Sequence, residues 1–170
     1  AASDVYKRQL FLQGSKTMSI STTTTPTTIN TASPDHVIMM TDVDRERLMK
    51  TAEGLRSIGG PYRDFAAELE GELGRATIYP RSGIAPTVVT MNSRVRIIDL
   101  RTQERSRFTI VYPNDADILE GRMSVISPLG LALLGQKAGD VVELRVPAGV
   151  RRFLIEAVVY QPEAAGDEHL

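Results

Sequence analysis

The stretch SVISPLGLALLGQKAGDVVEL, residues 124–144, decides how this chain folds. A β-like run stops at Ser127-Pro128, a short apolar helix follows, and Gly139-Asp140 turns the chain into another β-like run. Ser127 is well typed as a helix N-cap, and Pro128 has the φ that a first helical turn needs. Helical spacing places Leu131 and Leu134 on the buried side. Within the stretch, GLALLGQK has part of the pattern of a phosphate-binding loop, G-x-x-x-x-G-K-[ST]. Gly130 and Gly135 are correctly separated, but Lys137 comes one place late and Ala138 stands where a hydroxyl is needed. The interior is apolar rather than glycine-rich. The expectation is a folded strand-to-helix corner and not a nucleotide loop.

On both sides of this corner the pattern is β-like. VVTM, RVRIIDL, RFTIVYP, RMSVIS, VVELRVP and RRFLIEAVVYQ are rich in Val, Ile, Phe and Tyr. PAGV, ending at Val150, reads as a hairpin loop with Gly149. Short connections favour antiparallel pairing, so residues 86–163 are expected to form an antiparallel sheet with one helix against it. Upstream, TIYPRSGIAPTV reads as a linker with two prolines.

Before that linker the period changes to helical. Thr41 is an N-cap and Asp44, three residues on, suggests a variant capping box. Leu48, Ala52 and Leu55 follow at helical spacing, with Ile58 extending the face. Glu46 precedes Lys50 by four, the favourable order for a surface pair. Gly59-Gly60-Pro61 ends this helix, and a second one carries the stripe Phe65, Leu69, Leu73 and Ala76. Its outer face is read as acidic, with Asp64, Glu68, Glu70 and Glu72. Two such helices joined by a tight turn predict an antiparallel hairpin, a short coiled coil. HVIMM before it reads as a short β segment or an apolar lead-in.

The 170 residues therefore divide into a tail over 1–36, a helical hairpin and linker over 37–85, a sheet domain over 86–163 and a tail over 164–170. The class is α+β. Residues 19–34 are Thr/Ser-rich with proline and read as disordered; SDVYKRQ before Met18 resembles adaptor read-through, which makes Met18 the expected start.

Composition excludes several functions. The chain has no cysteine, which removes disulfides, thiolate nucleophiles and cysteine-ligated metals. No run of about 18 apolar residues exists to span a membrane. Net charge is −1 and pI about 6.2, against the basic balance of a sequence-specific duplex reader. Its two histidines, His36 and His169, lie near the ends, so the body has none for general acid–base work or phosphoryl transfer. Asp115, Asp117 and Glu120 cluster in PNDADILEG, where a solvated turn with Asp capping backbone N–H groups is favoured over a cation site. Ser93, Ser124 and Ser127 have no identifiable base.

From Val88 to Glu163 the chain resembles the C-terminal domain of the Gre transcript-cleavage factors. The resemblance is carried by VTMNSRVRIIDL and by FTIVYPNDADILEGRMSVISPLGLALLGQKAGDVVELRVPAG. From about Val37 to Gly166, with DRERL, MNSRV and VVYQPEAAGD, it resembles the Rnk-type regulators of nucleoside diphosphate kinase. An FKBP-like fold is implied. So is a non-catalytic protein without cofactors, cytoplasmic and monomeric, that binds RNA polymerase. The implied docking place is the coiled coil of the largest subunit at the rim of the secondary channel. There Ser127, Pro128, Leu129 and Gly130 would form the contact and Gre factors would compete. Gre cleavage factors carry a longer hairpin whose tip holds a pair of acidic residues for a catalytic Mg²⁺. Here the turn is flanked by Arg56 and Arg63, with only Asp64 nearby. Regulation of the kinase is then expected to be indirect, through transcription. The alternatives are a protein adaptor acting directly on a nucleotide-metabolising kinase, a prolyl isomerase, and residual transcript cleavage.

Overall fold

The computed structural model describes residues 38–146 and 149–167. The Thr-rich segment, His36 and His169 lie outside the described residues, as do residues 147 and 148 of the expected PAGV loop. The chain order begins with strand β1 (Met39–Thr41), helices α1 (Asp42–Ile58) and α2 (Tyr62–Arg75) and strand β2 (Thr77–Tyr79). Strands β3 (Arg94–Asp99), β4 (Arg105–Val111) and β5 (Arg122–Ser124) follow. Helix α3 (Pro128–Leu133), strands β6 (Val141–Val146) and β7 (Gly149–Tyr160) and a last turn α4 (Pro162–Ala165) complete it.

α1 starts where Thr41 Oγ1 accepts the Asp44 N–H at 3.1 Å, the expected N-cap. The Glu46–Lys50 surface pair also forms, at 2.7 Å. Gly59 and Gly60 end the helix at positive φ of 75° and 58°. β1 and β2 pair in parallel, which brings the start of α1 and the end of α2 to one base. With 17 residues, α1 is about 25 Å long.

The buried stripe between the helices differs from its sequence reading. α1 contributes Leu48, Ala52 and Leu55 as expected, but Ile58, the last residue of the helix, is 45% exposed. On α2 the stripe is Tyr62, Ala66, Leu69 and Leu73, and Phe65 is only half-buried. Glu72, expected on the acidic outer face, is buried beneath Arg75, with which it pairs. The i, i+4, i+7, i+11 spacing from Tyr62 fits a continuous seam better than one starting at Phe65.

The main sheet has five strands in the order β5-β4-β3-β7-β6. It is not wholly antiparallel. β5 runs parallel to β4, with Thr109 opposite Arg122 and Val111 opposite Ser124. Residues 112–121 explain the difference: two 3-10 turns, Pro113–Asp115 and Ile118–Glu120, carry the chain back before it pairs again. HVIMM proves to contain a strand, and its partner Thr77–Tyr79 comes from what reads as linker.

One face of the sheet buries Val95, Ile97, Ile110, Val142, Leu144, Phe153 and Ile155. These join Ile38, Met40, Leu131, Leu134 and the helix stripe in a single apolar cluster. α3 is buried on nearly every side. The last described residues are tied down as well. Gln161 Nε2 donates to Ala85 O at 2.9 Å and Val88 O at 2.8 Å, and Tyr160 donates its hydroxyl to Asp167.

Candidate functional site

At the corner, the Val125 N–H donates to Val111 O at 2.9 Å before the chain leaves the sheet. Ser127 Oγ accepts the Gly130 N–H at 3.1 Å and donates to Ser124 O at 2.8 Å. It therefore caps α3 and locks the corner to β5. Ser127, Pro128 and Leu129 are half-buried, leaving a small polar-apolar rim open. Gly130 is buried, and a Cβ there would stand 2.1 Å from Ser124 O. Its part is close backbone approach, so it offers no side chain and little surface to a partner.

Behind the corner, Gly135 holds φ of +72°, and a Cβ there would lie 2.1 Å from Ile38 Cγ2. The Met39 N–H donates to Gly135 O at 3.2 Å. The stretch that looked like half a phosphate loop thus binds the chain's own N-terminal strand. Its outside is the rim, and its inside fixes the base of the two helices.

At the far end of the helices, Arg56, Arg63 and Asp64 are exposed around the Gly59–Gly60 turn. Arg56 is paired with Glu70 across the helices. Among the described residues no group of three or more His, Cys, Asp or Glu side chains is arranged to hold a metal ion. In the PNDADILEG turn, Asp117 Oδ1 accepts the Leu119 N–H at 3.1 Å and the Glu120 N–H at 3.4 Å, the capping role expected of it.

A third feature escaped the sequence. Asp44 does not close a capping box. Its carboxylate accepts the Met91 N–H at 3.2 Å and the Tyr112 hydroxyl at 3.4 Å. Burial pushes its pKa up to about 6, and the nearby negative charge of Glu163 adds to the shift. The Tyr112 hydroxyl is raised too, by burial first and then by the Asp44 charge. Glu163 itself accepts from Thr90 Oγ1 at 2.7 Å, and Thr90 shares a 2.9 Å hydrogen bond with Ser93 Oγ. One spacing signal could have revealed Asp44: it sits four residues before Leu48 on the buried stripe.

A five-stranded sheet with a Ser-Pro corner, carrying two helices at its base, defines a Gre-type protein. The family described as transcription elongation factor, GreA/GreB, C-term matches residues 84–160, and Rnk N-terminus matches residues 37–78. A transcription elongation factor GreA/GreB from Nitrosomonas europaea is similar in structure, with TM-score 0.60 and 42% identity over 72% of this chain and 99% of that one. GreA of Phenylobacterium zucineum is 38% identical over 92 residues, 54% of this chain and 59% of that protein. The regulator of nucleoside diphosphate kinase of Escherichia coli (strain K12) is 38% identical over 131 residues, 76% of this chain and 94% of that protein. The chain belongs to this Rnk family, a branch of Gre-like transcription regulators.

Proposed function

We propose that the protein is a non-catalytic regulator of transcription that binds RNA polymerase and competes there with Gre factors. The observation that carries this reading is a pairing of parts: a GreA/GreB C-terminal match over residues 84–160 and a turn region whose acids are Asp64 and Glu70, the latter engaged by Arg56. In this reading the sheet domain is an FKBP-like anchor. It docks through Ser127, Pro128 and Leu129 on the coiled coil of the largest subunit, at the rim of the secondary channel. Gly130 supports that contact from within by keeping α3 close to Ser124. The helices form a short coiled coil about 25 Å long that points inward and brings no metal-holding acid pair. The protein acts as a cytoplasmic monomer, and any effect on nucleoside diphosphate kinase runs through transcription.

Affinity capture of purified core polymerase by the tagged chain, with a GreA-type factor as competitor, tests the reading. Saturable capture that the competitor displaces is the expected result. A companion assay on stalled elongation complexes should show no transcript shortening beyond that of polymerase alone. Stimulated cleavage would overturn the non-catalytic assignment. The name carried by the Escherichia coli relative supports a second reading, an adaptor that holds the kinase directly. Capture of purified kinase but not of polymerase would favour it.

A further inference from the structure

The face of the sheet turned away from the core is rich in arginine. Arg94 on β3, Arg107 on β4 and Arg122 on edge strand β5 line an open groove of about 560 Å³, together with Phe108 and Glu120. Neighbouring arginines each have a carboxylate partner: Arg96 and Arg105 share Glu156, and Arg152 pairs with Glu143 at 2.7 Å. In the groove the balance is different. Arg122 reaches Asp117 only at 3.6 Å, and Arg94 and Arg107 make no ion pair with a described carboxylate. Three guanidinium groups stand against Glu120 in the lining and Asp117 beside it, a positive excess on a chain whose net charge is −1.

Beside the groove stands an apolar knob. Leu119 is 91% exposed and Ile118 37% exposed. Their turn is not loose. Asp117 caps it, and the backbones of Asp117 and Arg122 exchange hydrogen bonds at 2.9 and 2.8 Å. A leucine held in water at a fixed position, beside a groove in which Arg94 and Arg107 have no described carboxylate partner, is the composition of a protein-contact surface. A polyanion groove would not be expected to present a projecting leucine and a glutamate. Arginine in such a patch also binds carboxylates as a planar fork.

We propose that this groove and Leu119 together dock an acidic, amphipathic protein segment, whose carboxylates engage Arg94 and Arg107 while an apolar side chain packs on Leu119. The inference rests on the polymerase reading above and names the chemistry of the partner's surface. β5 runs from Arg122 in the groove to Ser124 and on into the Ser127–Pro128 corner, so one partner can touch both.

The test is fluorescence anisotropy of the labelled full chain against core polymerase at low and moderate salt. Wild type is compared with Arg94→Glu/Arg107→Glu and with Leu119→Asp, each first shown to melt like wild type. Each variant is expected to weaken binding about tenfold or more. Poly-glutamate should displace the chain, and a single-stranded oligonucleotide should not. If wild type binds and both variants bind equally well, this inference falls while the polymerase reading stands. If wild type does not bind at micromolar concentration, both fall. If the oligonucleotide binds directly and the arginine variant abolishes that binding, the groove is a nucleic-acid site and the inference is overturned.

Discussion

The carboxylate of Asp44, in the first turn of α1, accepts the backbone N–H of Met91 from the segment leading into β3, at 3.2 Å. This is a hydrogen bond between the helical arm and the sheet domain, made by a side chain only 5% exposed. A buried acceptor that satisfies a backbone donor is costly to remove. It also ties the pose of the arm to a titratable group.

A pH dependence follows. Asp44 goes from its ordinary 3.8 to about 6 on folding, with burial as the leading cause. The folded state therefore binds more protons than the unfolded state between those values. The stabilisation is present below pH 3.8 and lost as pH rises to about 6, by an amount on the order of 3 kcal/mol. Asp99 and Glu156, held below the ordinary range by arginine partners, act in the opposite sense at acid pH. The difference between wild type and Asp44→Asn isolates the first effect. Urea unfolding should show Asp44→Asn gaining on wild type as pH rises through this window. A constant difference would refute the assignment.

Backbone proximity at Gly130 and Gly135 gives a second prediction. A Cβ at either position would meet a heavy atom at 2.1 Å, Ser124 O in one case and Ile38 Cγ2 in the other. Either alanine variant should lose several kcal/mol in chemical unfolding, in the range of severe single substitutions, about 4 kcal/mol. Gly139→Ala is the control. Gly139 has φ of +97° but open space around it, so only backbone strain of about 1–2 kcal/mol applies. Equal losses at all three sites would mean that close approach is not the determinant.

The corner separates stability from binding. Ser127→Ala removes the cap to Gly130 N–H and should cost about 1 kcal/mol. Pro128→Ala should change the melting temperature less, yet weaken polymerase binding. Unchanged polymerase affinity in Pro128→Ala would remove the corner from the contact.

Between the helices, Arg56 and Glu70 form an ion pair whose arginine is mostly solvated. A double-mutant cycle with alanine at both positions should return a coupling of at most about 1 kcal/mol. A larger coupling would show that the apex is held by charge rather than by the Leu55 and Leu69 seam.

Much of this was legible in the sequence because the signals are local. Thr41, Ser127 and Pro128 are typed by capping chemistry, and Leu48, Ala52 and Leu55 by spacing. What escaped was set by partners far along the chain. Asp44 reads as a capping residue until Met91 and Tyr112 are brought to it. The direction of β5 depends on the two 3-10 turns in residues 112–121, which carry no hydrophobic period. Tyr62 and Ala66 take the place of Phe65 in the seam, a rotation of the helix that the apolar spacing alone does not single out.

The most direct measurement of the central claim is equilibrium binding of the full chain to core RNA polymerase, with a GreA-type factor titrated in. Saturable binding at micromolar concentration or below, displaced by the factor with one-to-one competition, is the predicted result. Absence of binding at that concentration, or binding that the factor leaves untouched, would contradict it.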